Sequence, residues 1–129
     1  MANELILIVE DNEKNRRLAR DILKVKGYRT IEAETAEAGL EMVPKENPDL
    51  VLMDIQLPGM NGIQALKKLR ASDATRAIPV LAFTASVMPQ DRREIMDAGF
   101  DGFVAKPVNL KEFVAAIAKA LGNDPVAGS

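Results

Sequence analysis

Cysteine and histidine are both absent from this chain of 129 residues. Without cysteine there is no disulfide framework and no thiolate zinc site. Without histidine the Ser-His-Asp and Cys-His nucleophile arrangements drop out, and so does imidazole metal ligation. Any metal site must be built from oxygen alone, which points to a hard divalent cation such as Mg2+ or Mn2+. A basic excess is missing too: 17 Lys and Arg against 19 Asp and Glu leave a net charge of −2. That argues against nucleic acid as the main partner. The opening Met1-Ala2-Asn3-Glu4 has no basic leader, and the apolar run after it is too short for a signal peptide or a membrane span. The expectation is a cytoplasmic protein with no membrane insertion. What is present, 47% hydrophobic and 28% charged residues at a one-domain length, describes a globular chain with a real core.

The most informative stretch is Leu50 to Gly62. Four apolar residues, Leu50-Val51-Leu52-Met53, read as a fully buried strand. Asp54 follows at its end, and then a loop carrying Pro58, Gly59 and Gly62. Open α/β sheets put their chemistry at the carboxyl ends of strands. A charge beside apolar packing is costly unless something pairs with it, so the rest of the chain is searched for partners of Asp54.

Leu5–Val9 is a continuous apolar run, a buried first strand that stops at Glu10-Asp11-Asn12. From Asn15 the spacing of Leu18, Ile22, Leu23 and Val25 is helical, and Gly27 closes that helix. Tyr28 to Ile31 reads as a second strand. Thr35 is an N-cap for a helix through Ala38, Leu40 and Met42, with Glu37 and Glu41 outside. Pro44 should end or kink this helix early. After the Asp54 loop, Ile63, Ala65, Leu66 and Leu69 space as a helix with Lys67, Lys68 and Arg70 on the wet side. Ser72 to Arg76 is a polar loop, and Ile78 to Phe83 a fourth strand with Pro79 near its start. A charged helix covers Pro89 to Ala98, ended by Gly99. Phe100 to Ala105 is a short fifth strand, and Leu110 to Leu121 a last helix stopped by Gly122. Residues 1–122 form the domain on this reading, and Asn123 to Ser129 a flexible tail. Strict β-α alternation predicts a parallel sheet with right-handed crossovers and helices on both faces. Five strands suit a flavodoxin-like order of 2-1-3-4-5, with its crevice at the carboxyl ends of strands 1 and 3.

That crevice collects Glu10, Asp11 and Asp54. Three carboxylates from adjacent strands repel one another unless a divalent cation binds them through oxygen, and the backbone carbonyl of Gln56 could complete the ligation. Strand 4 ends in the hydroxyl of Thr84 and strand 5 in the cation of Lys106. The set has a chemical logic. An ionised carboxylate can attack phosphorus and become an aspartyl phosphate without a general base. A metal ion and Lys106 would neutralise phosphoryl oxygens, while the Thr84 hydroxyl and the backbone N–H of Ala85 would donate to them. Each residue alone has a plainer reading. Glu10-Asp11-Asn12 could simply cap a helix, Lys106 could be a surface lysine, and Thr84 a strand-end residue. Their joint placement at one end of one sheet favours function. Met42, Met53, Met60, Met88 and Met96 read as core or rim, and Arg16, Arg17, Arg20, Arg92 and Arg93 as solvated helix faces.

Four segments, Val9-Glu10-Asp11-Asn12, Met53 to Gly62, Phe83-Thr84-Ala85 and Ala105-Lys106-Pro107, together resemble the receiver domain of two-component response regulators from Leu5 to Leu121. The resemblance implies that Asp54 accepts a phosphoryl group from a phosphohistidine on a sensor histidine kinase or histidine phosphotransfer protein. It implies that Asp11, Asp54, the Gln56 carbonyl and, through water, Glu10 hold Mg2+. Thr84 and Lys106 would bind the phosphoryl group, with the Lys106–Pro107 bond cis. It also implies a switch: Thr84 moves toward the phosphoryl group, Phe103 rotates inward, and the face of helix 4, strand 5 and helix 5 changes toward a downstream protein partner. The family's usual Tyr is Phe at 103, so a ring hydroxyl is missing. No second domain follows Leu121, which suggests a stand-alone receiver, similar to the divisional cell-cycle regulators. The Val9–Glu13 and Phe83–Ser86 segments are similar also to receivers attached to hybrid kinases.

Three other functions compete. A haloacid-dehalogenase-type phosphatase would want a second acid two residues after the nucleophile, where Gln56 stands, and usually a cap domain. A flavodoxin-type flavin carrier would want a phosphate-binding loop where Glu10-Asp11-Asn12 would repel phosphate. A pseudo-receiver that docks partners without phosphorylation is opposed by the intact acid set and Lys106.

Overall fold

A computed structural model describes residues 4–85 and 88–122. Ser86 and the expected tail over 123–129 lie outside the described residues. Ten elements alternate: β1 Leu5–Val9, α1 Glu13–Val25, β2 Arg29–Ala33, α2 Ala36–Glu46, β3 Leu50–Asp54, α3 Gly62–Ala71, β4 Val80–Thr84, α4 Pro89–Ala98, β5 Gly102–Ala105 and α5 Leu110–Ala120. All strand pairs are parallel and the sheet order is β2-β1-β3-β4-β5, as expected.

Alternate residues of the central strands feed two cores, because successive side chains point to opposite faces. Leu7, Val9, Val51, Met53, Val80 and Ala82 pack under Val43 of α2, Leu66 and Leu69 of α3 and Ile95 of α4. Ile6, Ile8, Leu50, Leu52, Leu81 and Phe83 pack under Leu23 of α1 and Phe113 and Ile117 of α5. Strands covered on both faces read as unbroken apolar runs, and β1, β3 and β4 are buried at every position.

Several local expectations are corrected. The buried positions of α1 are Ala19 and Leu23, while Leu18 and Val25 are exposed, Val25 by 82%. β2 starts at Arg29 and runs to Ala33 because its register follows all of β1, Leu5 opposite Arg29 and Val9 opposite Ala33. α2 continues through Pro44 to Glu46. Proline removes one i→i−4 bond, and here it falls in the last turn, with Asn47 in the left-handed region closing the helix on the Val43 carbonyl. β4 begins at Val80 and not Ile78, since Pro79 has no N–H for the ladder; its carbonyl still accepts from the Val51 N–H. β5 begins at Gly102 and not Phe100, after Gly99 turns with φ 109°. Arg70 is not on the wet side. Its guanidinium donates to the carbonyls of Arg76 and Ile78 and pairs with Asp101, whose carboxylate also accepts the Val80 N–H at 2.8 Å. Met88 and Met96 are about half exposed, at the rim that was one of their two expected places. Thr75, in the expected polar loop, is buried and donates its hydroxyl to the Leu69 carbonyl at 2.6 Å.

Candidate phosphoacceptor site

The carboxyl ends of β1, β3, β4 and β5 meet at one edge of the sheet. Glu10, one residue past β1, is fully buried, and its backbone N–H donates to the Ala33 carbonyl, extending the β1–β2 ladder by one bond. Its Oε2 accepts from the Asn12 N–H at 3.0 Å. Asn12 in turn caps α1, its side chain accepting from the Asn15 N–H. So the plain capping role belongs to Asn12, and the two acids before it are free of that duty. Asp11 is exposed.

Asp54 is the last residue of β3 and 3% exposed. Its Oδ1 accepts from the Gln56 N–H at 3.0 Å, which fixes the carboxylate plane. Behind it the chain is tightly appressed: the Gly62 N–H donates to the Ile55 carbonyl at 3.1 Å, and α3 starts there under an Asn61–Gln64 capping box.

Lys106 follows β5 at a cis Lys106–Pro107 bond. Its Nζ lies 2.6 Å from Glu10 Oε1 and 3.1 Å from Asp54 Oδ2, and 4.7 Å from the centre of the Phe83 ring. The buried end of β4 thus gives the ammonium a π face to rest on. The Lys106 N–H donates to the Thr84 carbonyl at 2.8 Å, which ties β5's end to β4's. Thr84 is 2% exposed and Ala85 exposed at the mouth. Gln56 is exposed beside Asp54.

One atom bears on metal binding. Glu10 Oε1 is a buried acceptor with no hydrogen bond, the one such side-chain atom among the described residues. Its 2.6 Å approach to Lys106 is an ion pair lacking hydrogen-bond directionality. Glu10, Asp11 and Asp54 offer ligand oxygens that all lie within 4.8 Å of one another. A hard divalent cation fits this donor set: all oxygen, two acids buried and one open to water.

Every residue expected from the sequence at the strand ends is found there. Phe103 of β5 stands apart, half-buried, with the Arg92 guanidinium 5.0 Å from its ring centre. Arg92 is exposed, as expected of a solvated face, and its guanidinium also covers this ring. Expected on a solvated face, Arg16 is 14% exposed in its side chain and reaches back to the site, donating from Nη1 to the Glu10 carbonyl at 2.9 Å.

The response regulator receiver domain model matches residues 6–118. The chain belongs to the response regulator receiver family. This receiver is 39% identical over 118 residues to the polar-differentiation response regulator DivK of Brucella anthropi, covering 92% of this chain and 96% of that one. In structure the receiver is similar to a response regulator from Chloroflexus aurantiacus, with TM-score 0.89 and 28% identity over 93% of this chain and 98% of the other. It is similar also to the receiver domain of sensor histidine kinase PA1611 from Pseudomonas aeruginosa, with TM-score 0.85 and 30% identity over 94% and 99%. That neighbour carries a magnesium ion coordinated in its active-site cleft. Among the described residues of the receiver no helix is long and apolar enough to cross a membrane.

Proposed function

We propose that residues 1–122 form a phosphoacceptor module in which Asp54 takes a phosphoryl group from a phosphohistidine on a sensor histidine kinase or histidine phosphotransfer protein. The observation that carries this is the Lys106 ammonium, held between the Glu10 and Asp54 carboxylates at the strand ends. Glu10, Asp11, Asp54 and the Gln56 carbonyl are the residues that would hold Mg2+. The ion would supply charge neutralisation for the transferring phosphoryl oxygens.

The chain's own groups do the rest. One Asp54 oxygen attacks phosphorus, the bond from phosphorus to the donor imidazole nitrogen breaks, and its electron pair leaves with the imidazole. The Gln56 N–H keeps the carboxylate from swinging while this happens. Lys106 remains as counter-charge for a phosphoryl oxygen, and Thr84 and the Ala85 N–H donate to the others. A new bond at Thr84 biases a two-state element. Phe103 would leave its stack with Arg92 and turn inward, so that the α4–β5–α5 surface presented to a downstream protein changes. A part in polar differentiation is favoured by the likeness to the polar-differentiation response regulator DivK, and the cytoplasm is the fitting compartment.

The stoichiometry of phosphate separates this reading from a hydrolase. With a small phosphodonor and Mg2+ the chain is expected to gain a single labile phosphoryl group. With p-nitrophenyl phosphate it should release no more than about one equivalent on the same timescale. Many turnovers would sink the signalling reading in favour of a phosphatase.

A further inference from the structure

Arg16 lies in the first turns of α1, where a long cationic side chain normally points to water. Here it turns back instead. Its Nη1 donates to the backbone carbonyl of Glu10 at 2.9 Å, and its Nε donates to Glu32 Oε1 at 3.0 Å. Glu32 belongs to β2 and is paired in register with Ile8 of β1. Its other oxygen, Oε2, faces Arg20 Nη1 at 3.4 Å, one helical turn on from Arg16. Glu34 stands further out, 3.9 Å from Arg16 Nη1 and largely exposed.

The sheet explains why the carbonyl needs this donor. The β1–β2 ladder closes with the Glu10 N–H on Ala33, and both strands end there. The next carbonyl, that of Glu10, has run out of strand, and a buried carbonyl left without a donor is costly. Arg16 supplies the donor from outside the sheet. The peptide so fixed is the one joining Glu10 to Asp11, whose two carboxylates make up most of the acidic cluster.

We propose that Arg16 is a positioning residue for divalent-cation binding: anchored on Glu32, it holds the Glu10–Asp11 peptide so that both carboxylates face the cleft. The inference rests on the acidic cluster being the Mg2+ site. A planar fork suits the site, since one guanidinium serves two acceptors through two different nitrogens, whereas an ammonium donates all its N–H bonds from one nitrogen. Groups that orient metal ligands in this way change metal affinity by about 10- to 100-fold when removed.

The test is Mg2+ titration by calorimetry on wild type, Arg16→Met, Arg16→Lys, Glu32→Met and Asp11→Asn, with thermal unfolding and amide spectra of each protein in EDTA. The expected result for Arg16→Met is an affinity loss of about tenfold, with a cooperative unfolding transition retained and displaced Asp11 and Asn12 amide resonances before any metal is added. Arg16→Lys should recover part of the loss, and Glu32→Met, which removes the oxygen that accepts the Arg16 Nε–H, should show a smaller loss in the same direction. Wild-type affinity in both Arg16→Met and Glu32→Met overturns the proposal. Should Arg16→Met fail to fold, Glu32→Met decides alone. Equal binding by wild type and Asp11→Asn overturns the metal-site reading itself, a failure distinct from that of Arg16.

Discussion

Replacing Lys106 by alanine is expected to destabilise the metal-free protein by about 3 kcal/mol, because it leaves two buried carboxylates facing each other. Glu10 is fully buried and Asp54 nearly so, and Lys106 is the cation within 3.1 Å of both. Glu10 Oε1 would then have neither ion pair nor hydrogen bond. Mg2+ should restore much of the loss. A ligand that binds only the folded state stabilises it by an amount that grows with its affinity, and the acidic cluster without Lys106 is a more negative site. The stabilisation by excess Mg2+ should therefore be larger in Lys106→Ala than in wild type, while phosphoryl transfer to Asp54 slows. Urea unfolding with EDTA and with Mg2+ measures both terms. A metal-free stability within about 0.5 kcal/mol of wild type, the range of an ordinary surface change, would show that Lys106 does not balance these charges.

Gly62→Ala is expected to cost a similar amount, about 3 kcal/mol, by overpacking. A Cβ at this position would collide with the Asp54 carbonyl oxygen and lie 3.0 Å from the Asp54 carbonyl carbon and the Ile55 Cα. All three are backbone, so no side chain can swing aside. Either α3 lifts off the end of β3, or the Asp54 peptide shifts and takes the carboxylate with it. Both changes reach the site, so Gly62→Ala should lower stability and slow phosphorylation together. Denaturant midpoints at unchanged m-value, read beside the phosphorylation rate, test this. An unaffected midpoint would mean that β3 and α3 are not held this closely in solution.

The strand ends were legible in the sequence for a simple reason. In a parallel sheet covered on both faces, the apolar runs of β1, β3 and β4 mark their own ends, and the polar residue that stops each run is the residue at the cleft. Glu10, Asp54 and Thr84 are placed that way, and β-α alternation gave the order 2-1-3-4-5. The element boundaries were less legible. β2 and β5 are edge strands with mixed burial, so their limits follow their partners' register and not their own pattern. Arg16 and Arg70 were misread for a different reason. Each is a helical arginine whose acceptors sit on other elements: Glu32 on β2 for Arg16, Asp101 before β5 for Arg70. Helical spacing says which way a Cβ points but not where a long side chain ends.

The central claim is that Asp54 is the phosphoacceptor and that it works with a divalent cation. Asp54→Ala is a clean control, since Lys106 keeps its pair with Glu10 at 2.6 Å and no buried charge is orphaned. The deciding measurement is intact mass after treatment with acetyl phosphate, wild type beside Asp54→Ala, with Mg2+ and with EDTA. A gain of one phosphoryl group that needs Mg2+ and is absent from Asp54→Ala is the predicted result. No gain in the wild type, even from a phosphohistidine donor, or an equal gain in Asp54→Ala, would contradict the account.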